Sequence, residues 1–464
     1  MPNIEIPFIG GAYTARSTNL NAQVCQNLYV EIDNTGAKNI IALVGCPGCK
    51  SWLDTEHNAE VRAFKIYNET LYVIVGNTVY KISVPLAATS IGTIGTSSGW
   101  VDITNDGIYM CVFDSTGGWT WDGTTFSTIS DTDLPTPSGA TYQDGYHIVS
   151  RADTDQFFIC EQDDPTSWDA TDYATAEGSG DILIAPVSVQ RQLWLIGQCS
   201  TEIWYNSGET FPFTRNPGGY LETGTNSKRS IATWENELMF LDDNNRVVRK
   251  QGLSLVPVSS YQIDYLISTM TVKSDSVGFI YPQEGHVFYE LSFPTDGKTI
   301  CYDLTTGFWH TRTSGEQDFR NRANCAIVFN DTVFVGDYEN GKIYEYDLGT
   351  FTDNGEIKRA IRAAQIINND GNRIFFNGFE LDMEFGVGDN TTTDPQVMLQ
   401  WSDDGGHTWS NEHWKSLGAI GKYEKRAKWY RLGTSRNRIF KMVISDPVKR
   451  NIFKAYLDGT IGNG

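Results

Sequence analysis

No stretch of this chain stays apolar over the roughly 18 residues that a membrane-spanning helix needs. No long segment repeats its apolar residues at helical spacing either. The N-terminus, "MPNIEIPFIGGAY", has no basic lead and no apolar core, so no secretory leader and no membrane span are expected. No G-x-x-x-x-G-K-[ST] loop is present to cradle a phosphate, and no H-E-x-x-H to hold zinc. The six histidines are His57, His147, His286, His310, His407 and His413, and only the last two fall near each other. No metal and no cofactor are therefore expected. Cations are few: 36 Lys and Arg face 57 Asp and Glu, a net charge of −21. Ordinary nucleic-acid binding, which neutralises phosphates with cations, is disfavoured by that balance.

Cysteine is present but without a framework. Cys25, Cys111, Cys160, Cys199, Cys301 and Cys325 are scattered, mostly in apolar runs such as "YMCVF" and "FFICE". Cys46 and Cys49 form one C-x-x-C, yet no second pair follows at zinc-site spacing. The intervening Pro47-Gly48 reads as a turn, whereas a redox pair needs a helix N-terminus. All eight are expected to be reduced thiols that pack as small hydrophobes.

What the chain does have is turn chemistry and aromatic strands. It carries 44 glycines, and 12% of its residues are aromatic. Gly76-Asn77, Asp296-Gly297 and Asn340-Gly341 suit tight hairpins that need positive φ. A unit of polar turn, aromatic strand, tight turn and second strand recurs, with first strands beginning near Leu71, Ile108, Tyr146, Leu193, Leu238, Val287 and Val333. Spacings of about 40–50 residues match the blades of a β-propeller, and a stack of separate sheets is the competing arrangement. The expected fold is all-β: about six to seven irregular blades over 61–355, then a β-sandwich-like domain over 356–464. Residues 1–60 would be an arm or strands that close the propeller. One helix is expected near 259–270, in "SSYQIDYLISTM", with Ser259 or Ser260 as its cap.

Two motifs could carry chemistry. Ser402, Asp404, Gly406, Thr408 and Trp409 spell S-x-D-x-G-x-T-W, which resembles the Asp-box of sialidases. That box is a hairpin turn: the carboxylate accepts N–H bonds across the loop, the glycine takes a conformation other residues avoid, and the tryptophan packs beneath. A sialidase also needs an arginine triad and an F-R-I-P stretch near its start, and the latter is absent, so a structural turn is expected. Gly95 to Gly99 match G-x-S-x-G, but strand-like "WVDITNDGIYM" follows where a nucleophile elbow requires a helix. No catalytic residue is assigned.

Charge divides the chain. Residues 357–464 hold 16 Lys/Arg against 12 Asp/Glu, a net of +4, whereas residues 1–356 carry a net of −25. The basic run contains Lys422, Lys425, Arg426, Lys428, Arg431, Arg436 and Arg438. It reads either as a solvated sheet face or as a docking patch for an acidic partner.

Several stretches, in order along the chain, resemble the tail hub or packaged-DNA-stabilisation proteins of short-tailed bacteriophages. They are "CQNLYVE" with "GCPGCKSW", "DTDQFFICEQDDPTSWDATDYATAEGSGDILIA", "STEIWYNSGETFPFTRNPGGYLETGTNSKRSIA", "SSYQIDYLISTM" and "SDDGGHTWSNEHWKSLGAIGKYEKRAKWYRLGTSRNRIFKMVISD". The resemblance implies a non-enzymatic virion protein, assembled in the host cytoplasm as a homohexameric ring below the portal and adaptor. Tail needle or tailspikes would attach to it, and DNA would pass through its lumen without sequence-specific binding. A glycan- or receptor-binding propeller is the alternative, with Trp-rich "GGWTWDG" suited to sugars, and a sialidase-like hydrolase is third.

Overall fold

The computed structural model describes residues 4–462 except 34, 37, 38, 84 and 85. It is all-β, with one α-helix among the described residues, Tyr261–Ser268. Six blades are each built from four consecutive antiparallel strands: 61–93, 102–128, 137–175, 183–221, 232–257 and 277–311, called blades 1 to 6. Blade 7 is composite. Its strands Ala323–Phe329, Thr332–Asp337 and Lys342–Asp347 are completed by Gly48–Asp54 from the N-terminal segment.

The second strand of each blade explains why the ring closes. It is buried on both faces, because each radial sheet is wedged between two neighbours, and its sequence is accordingly a continuous apolar run. In blade 1, Leu71, Val73 and Val75 pack against Phe334 and Ile343 of blade 7, while Tyr72 and Ile74 pack against Met110 and Val112 of blade 2. Cys111 and Phe113 then meet Val149 of blade 3, and Ile148 meets Leu193 and Leu195 of blade 4. Trp194 and Ile196 meet Leu238 and Phe240 of blade 5, whose Met239 and Leu241 meet Tyr289 and Leu291 of blade 6. Phe288 closes the circuit on Val333 and Val335 of blade 7.

The sandwich is shared between the two ends of the chain. One sheet runs Leu28–Ile32, Ile41–Gly45, Ile452–Ile461, Ile374–Met383, Ala427–Tyr430. The facing sheet contains Ala22–Gln26, Ala360–Ala363, Asn437–Ile444, Gln396–Ser402 and His413–Ser416. Their core joins Leu28, Val30 and Leu43 to Phe376, Phe379, Leu399 and Phe440. The N-terminal segment thus supplies strands to both domains. Blade 6 even continues into the sandwich, since Trp309–Thr311 pairs with Ala22–Gln26 through Thr311 and Gln26.

The helix lies between blades 5 and 6. Ile263 and Ile267 join the blade 5/6 cluster, and Arg16 of the N-terminal segment stands 5.1 Å from the Tyr265 ring centroid. Ser260 occupies the N-cap position without a side-chain cap bond, and Ser259 bonds Asp264 of the first turn instead.

Candidate functional site

The strand Gln396–Ser402 feeds the Asp-box-like turn, with Val397 and Leu399 on its buried face. Both oxygens of Asp404 are occupied. Oδ1 accepts from Ser402 Oγ (2.7 Å) and from the Thr408 backbone N–H (2.9 Å), and Oδ2 accepts from Thr408 Oγ1 (2.6 Å). The Gly406 N–H donates to Ser402 Oγ at 2.8 Å. These bonds, the Thr408 hydroxyl first, hold the Asp404 carboxyl below the usual carboxylate range. Gly405 (φ +78°) and Gly406 (φ +95°) lie in the left-handed region. Gly405 serves a second purpose: a Cβ there would sit 1.9 Å from Asn19 Oδ1, so the turn seats the N-terminal segment. Trp409 packs with Ala22, Ala363 and Ile439, and Lys441 Nζ stands 4.0 Å from its ring centroid. The Asp404 carboxylate's bonds are all made within its own turn.

The basic run divides in three dimensions. Arg438 is a correction to the sequence reading. It is 2% exposed, its Nε and Nη2 grip Asp403 at 2.7 and 2.6 Å, and its Nη1 donates to the Leu432 carbonyl. Its guanidinium stands 4.3 Å from the Phe376 ring centroid and 5.3 Å from that of Trp401. It belongs to the interior, because its strand register turns it inward onto those rings. Lys425, Arg426 and Lys428 are on the surface but paired: Lys425 with Asp394 (3.6 Å), Arg426 with Glu380, and Lys428 with Glu380 (2.8 Å). The cause is sheet register, which sets Lys428 directly opposite Glu380. Lys422, Arg431 and Arg436 are exposed and form no ion pair among the described residues. Tyr423, Tyr430 and Trp414 are exposed in the same segment. Cations interleaved with exposed aromatics have the composition of a protein-binding surface.

The propeller axis carries a second constellation, which the sequence reading missed. The first strands of successive blades adjoin one another around it. At the end where the inter-blade loops gather, Arg62 donates to the carbonyls of Gly76, Thr96, Ser98, Gly99 and Trp100 at 2.7–3.2 Å. Lys228, from the loop before blade 5, reaches Asp102 of blade 2 (2.9 Å) and the Ser138 carbonyl of blade 3. Arg229 meets Glu60 at 3.3 Å, and Asn324 of blade 7 donates to the same carboxylate at 3.2 Å. These side chains close that end of the axis. The available signal was the isolated cations of "TNSKRSIA" and "FRNRANC" within an acidic body. Opposite, the inner hairpin turns expose Glu69, Glu235, Glu284 and Asp331.

The remaining candidates are structural in geometry. Trp119 and Trp121 of "GGWTWDG" are buried between blades 1 and 2, so they offer no face to a sugar. All eight cysteines are free, and only Cys199 is exposed. Burial pushes the Cys25, Cys160 and Cys325 thiols up to about 12. Among the described residues, no three His, Cys, Asp or Glu side chains converge in a way that could hold a metal.

Two family models match this chain. One, described as bacteriophage P22 Gp10, beta-propeller, covers residues 4–350, and the other, bacteriophage P22 Gp10, beta-sandwich, covers residues 359–460. No curated protein matches it. Similar solved structures include the Pan2 WD40 domain of Neurospora crassa, at 10% identity and TM-score 0.40, covering 65% of this chain and 94% of that one. PorZ of the Porphyromonas gingivalis type-IX secretion system matches at 9% identity and TM-score 0.39, covering 79% and 46%. An auxiliary nutrient binding protein of Bacteroides thetaiotaomicron matches at 9% and 0.37, covering 66% and 82%.

Proposed function

Because the chain belongs to the bacteriophage P22 Gp10 family, the tail hub and DNA-stabilisation proteins of short-tailed phages, we propose that it is a nozzle subunit that seals packaged DNA below the portal and adaptor and forms part of the ejection channel. That it is a phage tail structural protein, and so a component of the virion, follows from the family. The observation that carries the finer reading is that the propeller and sandwich models match consecutively, together spanning nearly the whole chain.

Three physical features support it. The axis of the single propeller is closed by Lys228 and its contacts, so a DNA path must run between copies, as in a ring. The net charge of −21 and the exposed acidic turns would repel phosphates and let a duplex slide. Lys422, Arg431 and Arg436, which form no ion pair among the described residues, offer with Tyr423 and Tyr430 a basic, aromatic face to an acidic neighbour. That neighbour is another copy in a homohexamer, or the adaptor, with tail needle or tailspikes attaching elsewhere on the ring.

Electron microscopy of the purified protein, alone and with adaptor, tests the assembly: closed rings are expected, and monomers under every condition would refute it. Particles built without the protein should lose their genome, and full retention of DNA would refute the sealing role. One observation keeps a glycan-binding reading in view, the exposure of Trp414 and Tyr430. A glycan array that lights up in the wild type and not in Trp414→Ala would favour it.

A further inference from the structure

The closed end of the propeller axis encloses a cavity of about 160 Å³, lined by Arg62, Trp100, Asp102, Lys228, Arg229 and Asn324 among others. At about 30 Å³ per water of liquid volume, it has room for some five waters, or one compact polyatomic ion. Its charges do not balance. Arg62, Lys228 and Arg229 converge on it. The lining itself holds these three cations and one carboxylate, Asp102, while Glu60 meets Arg229 and Asp114 acts on Arg62 from outside it.

Hydrogen bonding singles out which cations are free to act. Arg62 is spent on loop carbonyls, and Lys228 on Asp102, the Ser138 carbonyl and the face of Trp100. Arg229 has one partner, Glu60 at 3.3 Å, and the rest of its guanidinium donors are unused among the described residues. Desolvation lowers Arg62 to about 10 and Lys228 to about 8. A buried cation short of anionic partners is stabilised by a bound anion.

We propose that this cavity is an anion site that takes a phosphate-class oxoanion, with Arg229 as its principal donor. The site is independent of the tail-hub reading, since it uses only the axis of one propeller. Two sources share this chemistry, free inorganic phosphate and a phosphodiester of a nucleic-acid strand.

The test titrates inorganic phosphate into the full-length protein by calorimetry and thermal shift, against sodium chloride at matched ionic strength. Phosphate should raise Tm saturably where chloride does not. Arg229→Gln should weaken phosphate binding about tenfold or more, the scale of one lost charge-assisted hydrogen bond. Arg229 is partly exposed, so the variant should keep its fold, checked by circular dichroism. Should Arg229→Gln fail to fold, Arg229→Lys serves in its place and should bind measurably weaker for want of the guanidinium's extra donors. An equal shift with chloride, or undiminished phosphate binding in the folded variant, would overturn the site. A competing single-stranded oligonucleotide distinguishes the sources: displacement of phosphate assigns the site to a nucleic-acid backbone, and its absence assigns it to the free ion.

Discussion

Replacing Arg438 by methionine separates an interior arginine from the surface cations that surround it in sequence. The substitution keeps much of the apolar stem and removes every polar contact. The buried bond from Nη1 to the Leu432 carbonyl is charge-assisted and contributes about 1.5–3 kcal/mol. The bidentate grip on Asp403, whose side chain is 43% exposed, is discounted for solvent to at most about 1 kcal/mol. Stacking over Phe376 and Trp401 adds about 0.5–1 kcal/mol. Relief of the guanidinium's desolvation offsets part of this sum, which leaves a net loss of about 2–4 kcal/mol. For a domain of the sandwich's size, that is a fall of roughly 5–15 °C in its melting transition. The comparator is Arg436→Met, two residues away and exposed, which should stay within about 0.5 kcal/mol of wild type. Because the protein has two domains, hydrogen exchange over Asn437–Ile444 is read alongside calorimetry to assign the transition. If Arg438→Met melts like the wild type, or Arg436→Met falls as far, the division of the basic run into buried and exposed members is wrong.

Reversing Lys422, Arg431 and Arg436 to Glu should weaken ring assembly or adaptor binding, most clearly at low salt, while the monomer stays folded; normal assembly with a steep, salt-dependent loss of DNA retention would mean the strip contacts DNA. Asp404→Ala should lower the sandwich transition and expose the segment around Asn19 to protease, since the turn seats it; the carboxylate's depressed folded value means its contribution is present above the ordinary 3.8 and fades as pH falls below it. Sialoside turnover that disappears in this variant would contradict a purely structural turn. His286, 2.8 Å from Asp303, has a folded value raised chiefly by that bond, so its stabilisation is full below about 6.5 and is lost as pH rises through the raised value; the Tm gap between wild type and His286→Gln should be larger at pH 6 than at pH 8.5, and an equal gap would refute the pair. Reductant should leave Tm unchanged, and a thiol reagent should label Cys199 before the others; a drop of several degrees in reductant would reveal a bridge.

The seven sites picked out by repetition, from Leu71 to Val333, all fall in or just before the second strand of a blade. Those strands were legible because burial on both faces writes a continuous apolar run. The first and fourth strands were not. Inner strands such as Asp102–Asn105 and Ala232–Trp234 are short, and outer ones such as Ala87–Thr93 and Asp164–Thr175 are largely exposed and polar. The split of residues 1–60 between two domains was hidden for another reason. Cys49 pairs with Tyr346, and Cys25 with Arg362, across some 300 residues, and local pattern carries no signal at that separation. Arg438 was misplaced because charge alone marks a residue as exposed, whereas a guanidinium between aromatic rings with a carboxylate at its fork can be buried. The axis cluster is assembled from residues of five blades, and beyond the isolated cations of "TNSKRSIA" and "FRNRANC" no single stretch of sequence carries it.

The closed axis bears on how such a chain could serve a conduit at all. A propeller offers an apparent channel, yet here Lys228 bridges blades 2 and 3 while Arg229 and Asn324 converge on Glu60, so the subunit's own axis is stoppered. On the tail-hub reading, the lumen must then be bounded by outer surfaces of several copies. Those surfaces carry the charge problem: residues 1–356 hold −25, and copies packed around a common lumen repel one another. Screening weakens that repulsion over about 8–10 Å at physiological salt, but it also weakens the docking contributed by Lys422, Arg431 and Arg436. The two effects oppose each other, so assembly should show a shallow or peaked dependence on salt rather than a monotonic one. Removing the three cations leaves only the repulsive term, and the variant's assembly should then improve steadily as salt rises. A variant whose assembly instead falls with salt, in parallel with the wild type, would show that other contacts, and not this strip, hold the copies together.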